Sequence, residues 1–158
     1  MTRGYIALVL HAHLPFVRHP EAPSLMEEEW FFEAITETYA PLLLAFERLC
    51  QDQIDFRLTM SFSPSLLSMM TDDLLKERYA KKIDHLVELA EKEVGRTWRE
   101  DRAFHDLAKM YRQRFHEIRD CWRRYEGDLV RGFRALQDAG KLECITCTAR
   151  KPRTRSPS

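Results

Sequence analysis

The chain has 158 residues, 44% hydrophobic and 32% charged, with 25 basic against 25 acidic side chains. This is the make-up of a globular domain with a real core and well-charged helices. Four of the basic residues (Arg150, Lys151, Arg153 and Arg155) lie in the last nine; taking them from 25 leaves 21 against 25, so the body is mildly acidic, which argues against nucleic acid as its main partner.

The N-terminal apolar run is shorter than the core of a secretion signal and is interrupted by histidines, and nothing approaches the ~20 apolar residues of a membrane span. A cytoplasmic, membrane-free protein is expected.

"YIALVLHA" (5–12) is a nearly continuous apolar run, the pattern of a parallel strand covered on both faces. It runs into His11 and His13, which share one face because strand side chains alternate, and Pro15 then breaks it. After a polar loop, Phe31, Ile35, Thr38, Leu42, Phe46 and Leu49 recur at helical spacing, with Pro41 predicting a kink or two abutting helices. Glu27, Glu28 and Glu29 sit where a helix start favours negative charge, and the macrodipole is sufficient reason for them.

"FRLTMSFSP" (56–64) alternates as a second strand, and Ser63-Pro64 is a cap and first-turn pair for a short helix. A long helix is predicted from near Thr71 to Val94, with Gly95 as its stop. Phe104, Ala108, Tyr111, Phe115, Ile118, Trp122 and Tyr125 form a heptad seam. Together these helices suggest an antiparallel hairpin over about 72–126, with a dimerising coiled coil as the rival reading. Trp98 and Trp122 are assigned to packing within it.

Gly127 should end that helix, Asp128 cap another and Gly140 close it before a third strand, "KLECIT" (141–146). Alternation of strands and helices means parallel strands with right-handed crossovers, an α/β fold. Three such strands cannot close a barrel, which needs roughly eight, so the segment reads as the opening part of a larger domain.

Cys50, Cys121, Cys144 and Cys147 make no disulfide framework, and "CITC" has no second pair to complete a zinc site; a buried strand accounts for it. For His11 and His13 three readings stand: hydrogen-bonded residues at a strand end, two metal ligands, or a polar wall of a substrate pocket. Zinc wants three or four ligands, and His19, His85, His105 and His116 are poorly placed to complete a set. No metal and no cofactor are therefore expected.

"LHAHLPFVRHPE" resembles the first signature of glycoside hydrolase family 57, a His-x-His-x-Pro motif at the end of the first strand, and looks most like the family's α-1,4-glucan branching type. "EEEWFFEAITETYAPLLLAFERL", "RLTMSFSPSLLSMM" and "YEGDLVRGFRALQDAGKLECITC" are similar to the family's first helix, second strand and third-strand region, so the likeness spans roughly residues 4 to 148. It implies the N-terminal part of a (β/α)7 barrel, an incomplete TIM-like barrel, acting on α-1,4-glucan with retention of configuration. Retention requires two carboxyls about 5–5.5 Å apart, one the nucleophile and one the acid/base.

In the family these come from later strands, so no catalytic residue is assigned in this chain and the chain alone should be inactive. The resemblance makes His11 and His13 substrate-binding residues that line the cleavage subsite and orient the nucleophile. Trp30 is a candidate for stacking on glucose, with a helix anchor as the other reading. Arg18 and His19 fall at the pocket rim; Glu33 and Glu37 are expected to be solvated or paired. The family's amylases and 4-α-glucanotransferases, and a non-enzymatic helical adaptor, are the alternatives. Where an Ala-Thr-His-Gly-like second signature should follow, the chain reads "TARKPRTRSPS". A disordered basic tail over 149–158 is expected, and the hypothesis of a reading-frame shift near 148 accounts for it; finding no such signature in any downstream frame would remove that hypothesis.

Overall fold

The computed structural model describes residues 4, 6–21 and 25–147. The basic tail expected over 149–158 lies outside the described residues. Three strands, β1 (Val9–Ala12), β2 (Leu58–Phe62) and β3 (Leu142–Thr146), form a parallel sheet in the order β1-β2-β3. The register sets Leu10 beside Met60 and Cys144, and His11 beside Ser61 and Ile145.

Because side chains alternate, that register sorts the sheet into two unlike faces. Leu10, Ala12, Leu58, Met60, Phe62, Leu142 and Cys144 share the face under the helices, where Ala12, Met60, Phe62 and Leu142 are buried. Val9, His11, Thr59, Ser61, Glu143 and Ile145 share the other face, which no described helix covers. Val9 is 59% exposed there. The expectation that β1 is covered on both faces is therefore corrected: its apolar residues face helices on one side only.

The first helical stretch is α1 (Met26–Ala34), a wide π turn (Ile35–Tyr39) and α2 (Ala40–Gln51). The buried stripe runs Phe31, Ile35, Tyr39, Leu43, in steps of four, and the π turn absorbs the drift such steps would build up on an ideal helix. Thr38, expected in the stripe, instead faces solvent. The disturbance falls just before Pro41, where the sequence placed it.

Ser63 caps α3 (Pro64–Met70), accepting the Leu66 N–H at 3.3 Å, and Asp72 caps α4 (Asp73–Glu100), accepting the Leu75 N–H at 3.0 Å. α4 runs through Gly95 and ends only at Asp101. A helical glycine costs about 1 kcal/mol, too little to stop a helix whose next turn is tied down. Thr97 is fully buried there and donates its hydroxyl to the Glu93 carbonyl at 2.8 Å.

After a short turn, α5 (His105–Arg124) lies against α4 in the opposite direction, with Asp84 meeting Arg123 at 2.8 Å and Glu91 meeting His116 at 2.9 Å. The seam is buried at Ala108, Ile118 and Trp122 but opens at its start, where Phe104 is 55% exposed. Trp122 packs edge-on against Tyr79, whose hydroxyl bonds Thr36 at 3.0 Å. Burial pushes the Tyr79 phenol well above its ordinary pKa. Trp98, also assigned to packing, sits 5.1 Å from the His105 ring and carries the Arg102 guanidinium at 4.0 Å, with its other side exposed.

Gly127 adopts φ +76° and sends its N–H back to the Trp122 carbonyl at 2.9 Å, ending α5 as a left-handed cap. Asp128 then caps α6 (Leu129–Asp138).

Gly132 marks where α6 meets α2. A Cβ there would stand 2.5 Å from Leu43 Cδ2 and 2.9 Å from the Tyr125 ring. Leu43 is fully buried, so its side chain can shift only by displacing its neighbours in the core. Gly132→Ala should destabilise the chain by a net of roughly 1–2 kcal/mol despite alanine's better helix propensity, as overpacking outweighs the propensity gain. Urea unfolding with an unchanged m-value checks this.

Candidate functional site

The paired histidines lie at the C-terminal end of β1, on the open face. His11 Nδ1 stands 2.5 Å from Ser61 Oγ, across the β1–β2 register. The His11 and His13 rings are nearly parallel, with centroids 5.8 Å apart. Both imidazoles are exposed, whereas Ser61 and Ser63 beneath them are buried. Toward the other end of the same face, Thr59 donates its hydroxyl to Glu143 at 2.7 Å. The open face thus mixes hydrogen-bonded polar groups with exposed Val9 and Ile145 and carries the imidazoles at the strand tips, where parallel α/β folds place their ligands.

The loop after the histidines is held down along its length. Ser65 donates to the Leu14 carbonyl at 2.7 Å, Val17 is buried with its N–H toward Met69 Sδ at 3.3 Å, and Arg18 pairs with Asp72 at 2.6 Å. The His19 N–H reaches Glu28 Oε1 at 3.0 Å, and Arg78 donates to the His19 carbonyl at 3.2 Å and to both Glu28 oxygens at 2.6 Å. Glu28 is 1% exposed and the Arg78 side chain 17%, so this ion pair is largely desolvated.

All three glutamates do lie in the first turn of α1, but the macrodipole is not the whole reason for two of them: Glu28 is a buried clamp and Glu29 pairs with Lys82 at 2.5 Å. An acidic triplet at a helix start carries no mark of a partner about fifty residues away. Arg18 and His19, placed at the rim by sequence, belong to the same clamp.

Trp30 is 51% exposed on α1, and no ring contact or hydrogen bond among the described residues joins it to either histidine. Glu33 is exposed, and Glu37 pairs with Arg114 at 2.9 Å. All four cysteines are free thiols, and Cys144 is only half-buried. Among the described residues no group of three or more His, Cys, Asp or Glu side chains could hold a metal ion. No helix among them is long and apolar enough to cross a membrane.

The described residues thus form an α/β layer, a parallel sheet with helices on one face and imidazoles at its strand ends, and comparison with known proteins identifies its family. The profile of glycosyl hydrolase family 57 matches residues 7–154, and the chain belongs to that family. It is 34% identical over 148 residues to the 1,4-alpha-glucan branching enzyme TK1436 of Thermococcus kodakarensis, covering 93% of this chain and 21% of that protein.

Among solved structures it is similar to the alpha-amylase AmyC from Thermotoga maritima (TM-score 0.87, 48% identity, 92% of this chain and 27% of that one). It is also similar to the GH57-type branching enzyme of Pyrococcus horikoshii (TM-score 0.83, 32% identity, 92% and 27%). The chain spans about a fifth to a quarter of these relatives' length.

The Glu28–Arg78 clamp can be tested directly. Removing one partner of a buried ion pair leaves a charge uncompensated, so Arg78→Ala should cost about 3 kcal/mol or more and expose the 13–21 loop to protease. Arg48→Ala, which breaks the exposed pair with Glu117, should cost at most about 1 kcal/mol. Denaturant titration and limited proteolysis of both variants check the contrast.

Proposed function

We propose that this chain supplies the first three strands of the (β/α)7 barrel of a family 57 α-glucan-processing enzyme of the branching type. In that arrangement the helix-covered face is the outside of the barrel and the open face its inside. The α4–α5 pair, about 72–126, is then a helical insertion between the second and third strands.

The observation that carries this reading is the open face itself. Apolar Val9 and Ile145 stand exposed on it, with the His11–Ser61 and Thr59–Glu143 hydrogen bonds between them. Parallel sheets are stable when both faces are covered, and barrel interiors are filled by layers of such side chains. Branching is favoured by the relation to the TK1436 branching enzyme.

In this reading His11 and His13 line the sugar subsite at the cleavage point, and Trp30 offers an exposed ring for a glucose unit further along the α-1,4-glucan. Their part is to hold hydroxyls and orient the nucleophile. Bond cleavage and transfer to a 6-hydroxyl fall to two carboxyls about 5–5.5 Å apart, supplied by strands beyond these three.

The 48% identity to AmyC, described as an alpha-amylase, supports a second reading, hydrolysis in place of transfer. An enzyme containing this segment would separate the two on amylose: branching forms α-1,6 links with little gain in reducing ends, and amylase action does the reverse. The purified chain alone should do neither. New α-1,6 branch points formed by these 158 residues would show that the reacting carboxylates lie within them.

A further inference from the structure

We infer that Ser61 is a positioning residue: its hydroxyl donates to His11 Nδ1, which fixes the neutral imidazole as the Nε2–H tautomer and makes His11 a hydrogen-bond donor on the open face. The inference rests on the reading of that face as a glucan subsite, and it adds which atom His11 presents to the sugar.

The argument begins with register. Ser61 and His11 are direct partners across parallel strands, so the serine is held beside the imidazole by the sheet itself and not by a mobile loop. The contact is short, 2.5 Å between Nδ1 and Oγ, and Ser61 is 8% exposed beneath the ring.

Two arrangements of protons satisfy that distance. If Nδ1 carried the hydrogen, Ser61 Oγ would accept it, and the serine hydroxyl would need an acceptor of its own. Among the described residues Ser61 Oγ makes no other hydrogen bond. A buried hydroxyl left without an acceptor costs about 1–3 kcal/mol. If Ser61 donates instead, both atoms are satisfied by one bond. The proton then sits on Nε2, the ring nitrogen that Ser61 does not occupy, and the neutral ring offers no basic lone pair there.

His13 lies beside it, its ring nearly parallel and 5.8 Å away between centroids. A neutral donor suits a sugar hydroxyl oxygen or a carboxylate, and it does not act as a general base. The second-strand serine therefore decides what the first-strand histidine can do, as hydrogen-bond partners do for other functional imidazoles.

The test is imidazole nitrogen NMR on the selectively labelled chain, without sugar, in wild type, Ser61→Ala and Ser61→Thr. Expected is a His11 ring protonated at Nε2 with Nδ1 in the hydrogen-bond-accepting range. Ser61→Ala should move the Nδ1 resonance to that of a free ring, and Ser61→Thr, which keeps a hydroxyl and suits a strand, should restore it. His13 is the internal control and should change less. A His11 signature identical in all three proteins, or one protonated at Nδ1 in wild type, overturns the assignment.

A second arm adds maltotetraose. Movement of the His11 Nε2 resonance supports the donor role. If maltotetraose moves nothing while the Ser61 dependence holds, the tautomer assignment stands and the glucan reading of the face is what fails.

Discussion

Everything in the structure depends on the parallel pairing of β1, β2 and β3 in one register. With a side-chain period of two, that register forces an apolar face and a polar face, and a slip by one residue would exchange them. It would bury His11, Ser61 and Thr59 under the helices and turn Met60 and Phe62 outward. The helices hold the register because they bury the apolar face: Phe62 packs edge-on against Phe133 of α6, and Met60 and Ala12 are almost wholly enclosed. The site is therefore a consequence of the core.

The same pairing explains why the histidine loop is so heavily tied. A loop leaving a strand tip has lost the sheet's hydrogen bonds and must find others. Here they come from α3 through Ser65 and Met69, from α1 through Glu28 and from α4 through Asp72 and Arg78. The long α4 helix is thereby tied to the loop that follows the imidazoles.

Local chemistry made much of the fold legible in the sequence. Alternation in "FRLTMSFSP", the Ser63-Pro64 cap and the Asp128 cap are short-range signals, and the structure realises each of them. The His-x-His spacing likewise places both rings on one side of β1. What was not legible depends on distant partners.

The inward role of Glu28 needs Arg78, the contact between Ser61 and His11 needs the β1–β2 register, and the exposure of Val9 follows from the one-sided placement of the helices. Gly95 misled because a helix stop is a competition, and buried Thr97 wins it. The uneven seam misled similarly: Phe104 obeys the heptad spacing but falls in the short turn before α5 and is left 55% exposed.

Histidine footprinting tests the central claim most directly. The chain is treated with diethyl pyrocarbonate with and without maltoheptaose, and modification is read at each histidine. If the open face holds an α-glucan, the sugar should protect His11 and His13 and leave the exposed His85 of α4 unchanged. Equal modification of all three, with and without the sugar, would contradict the account.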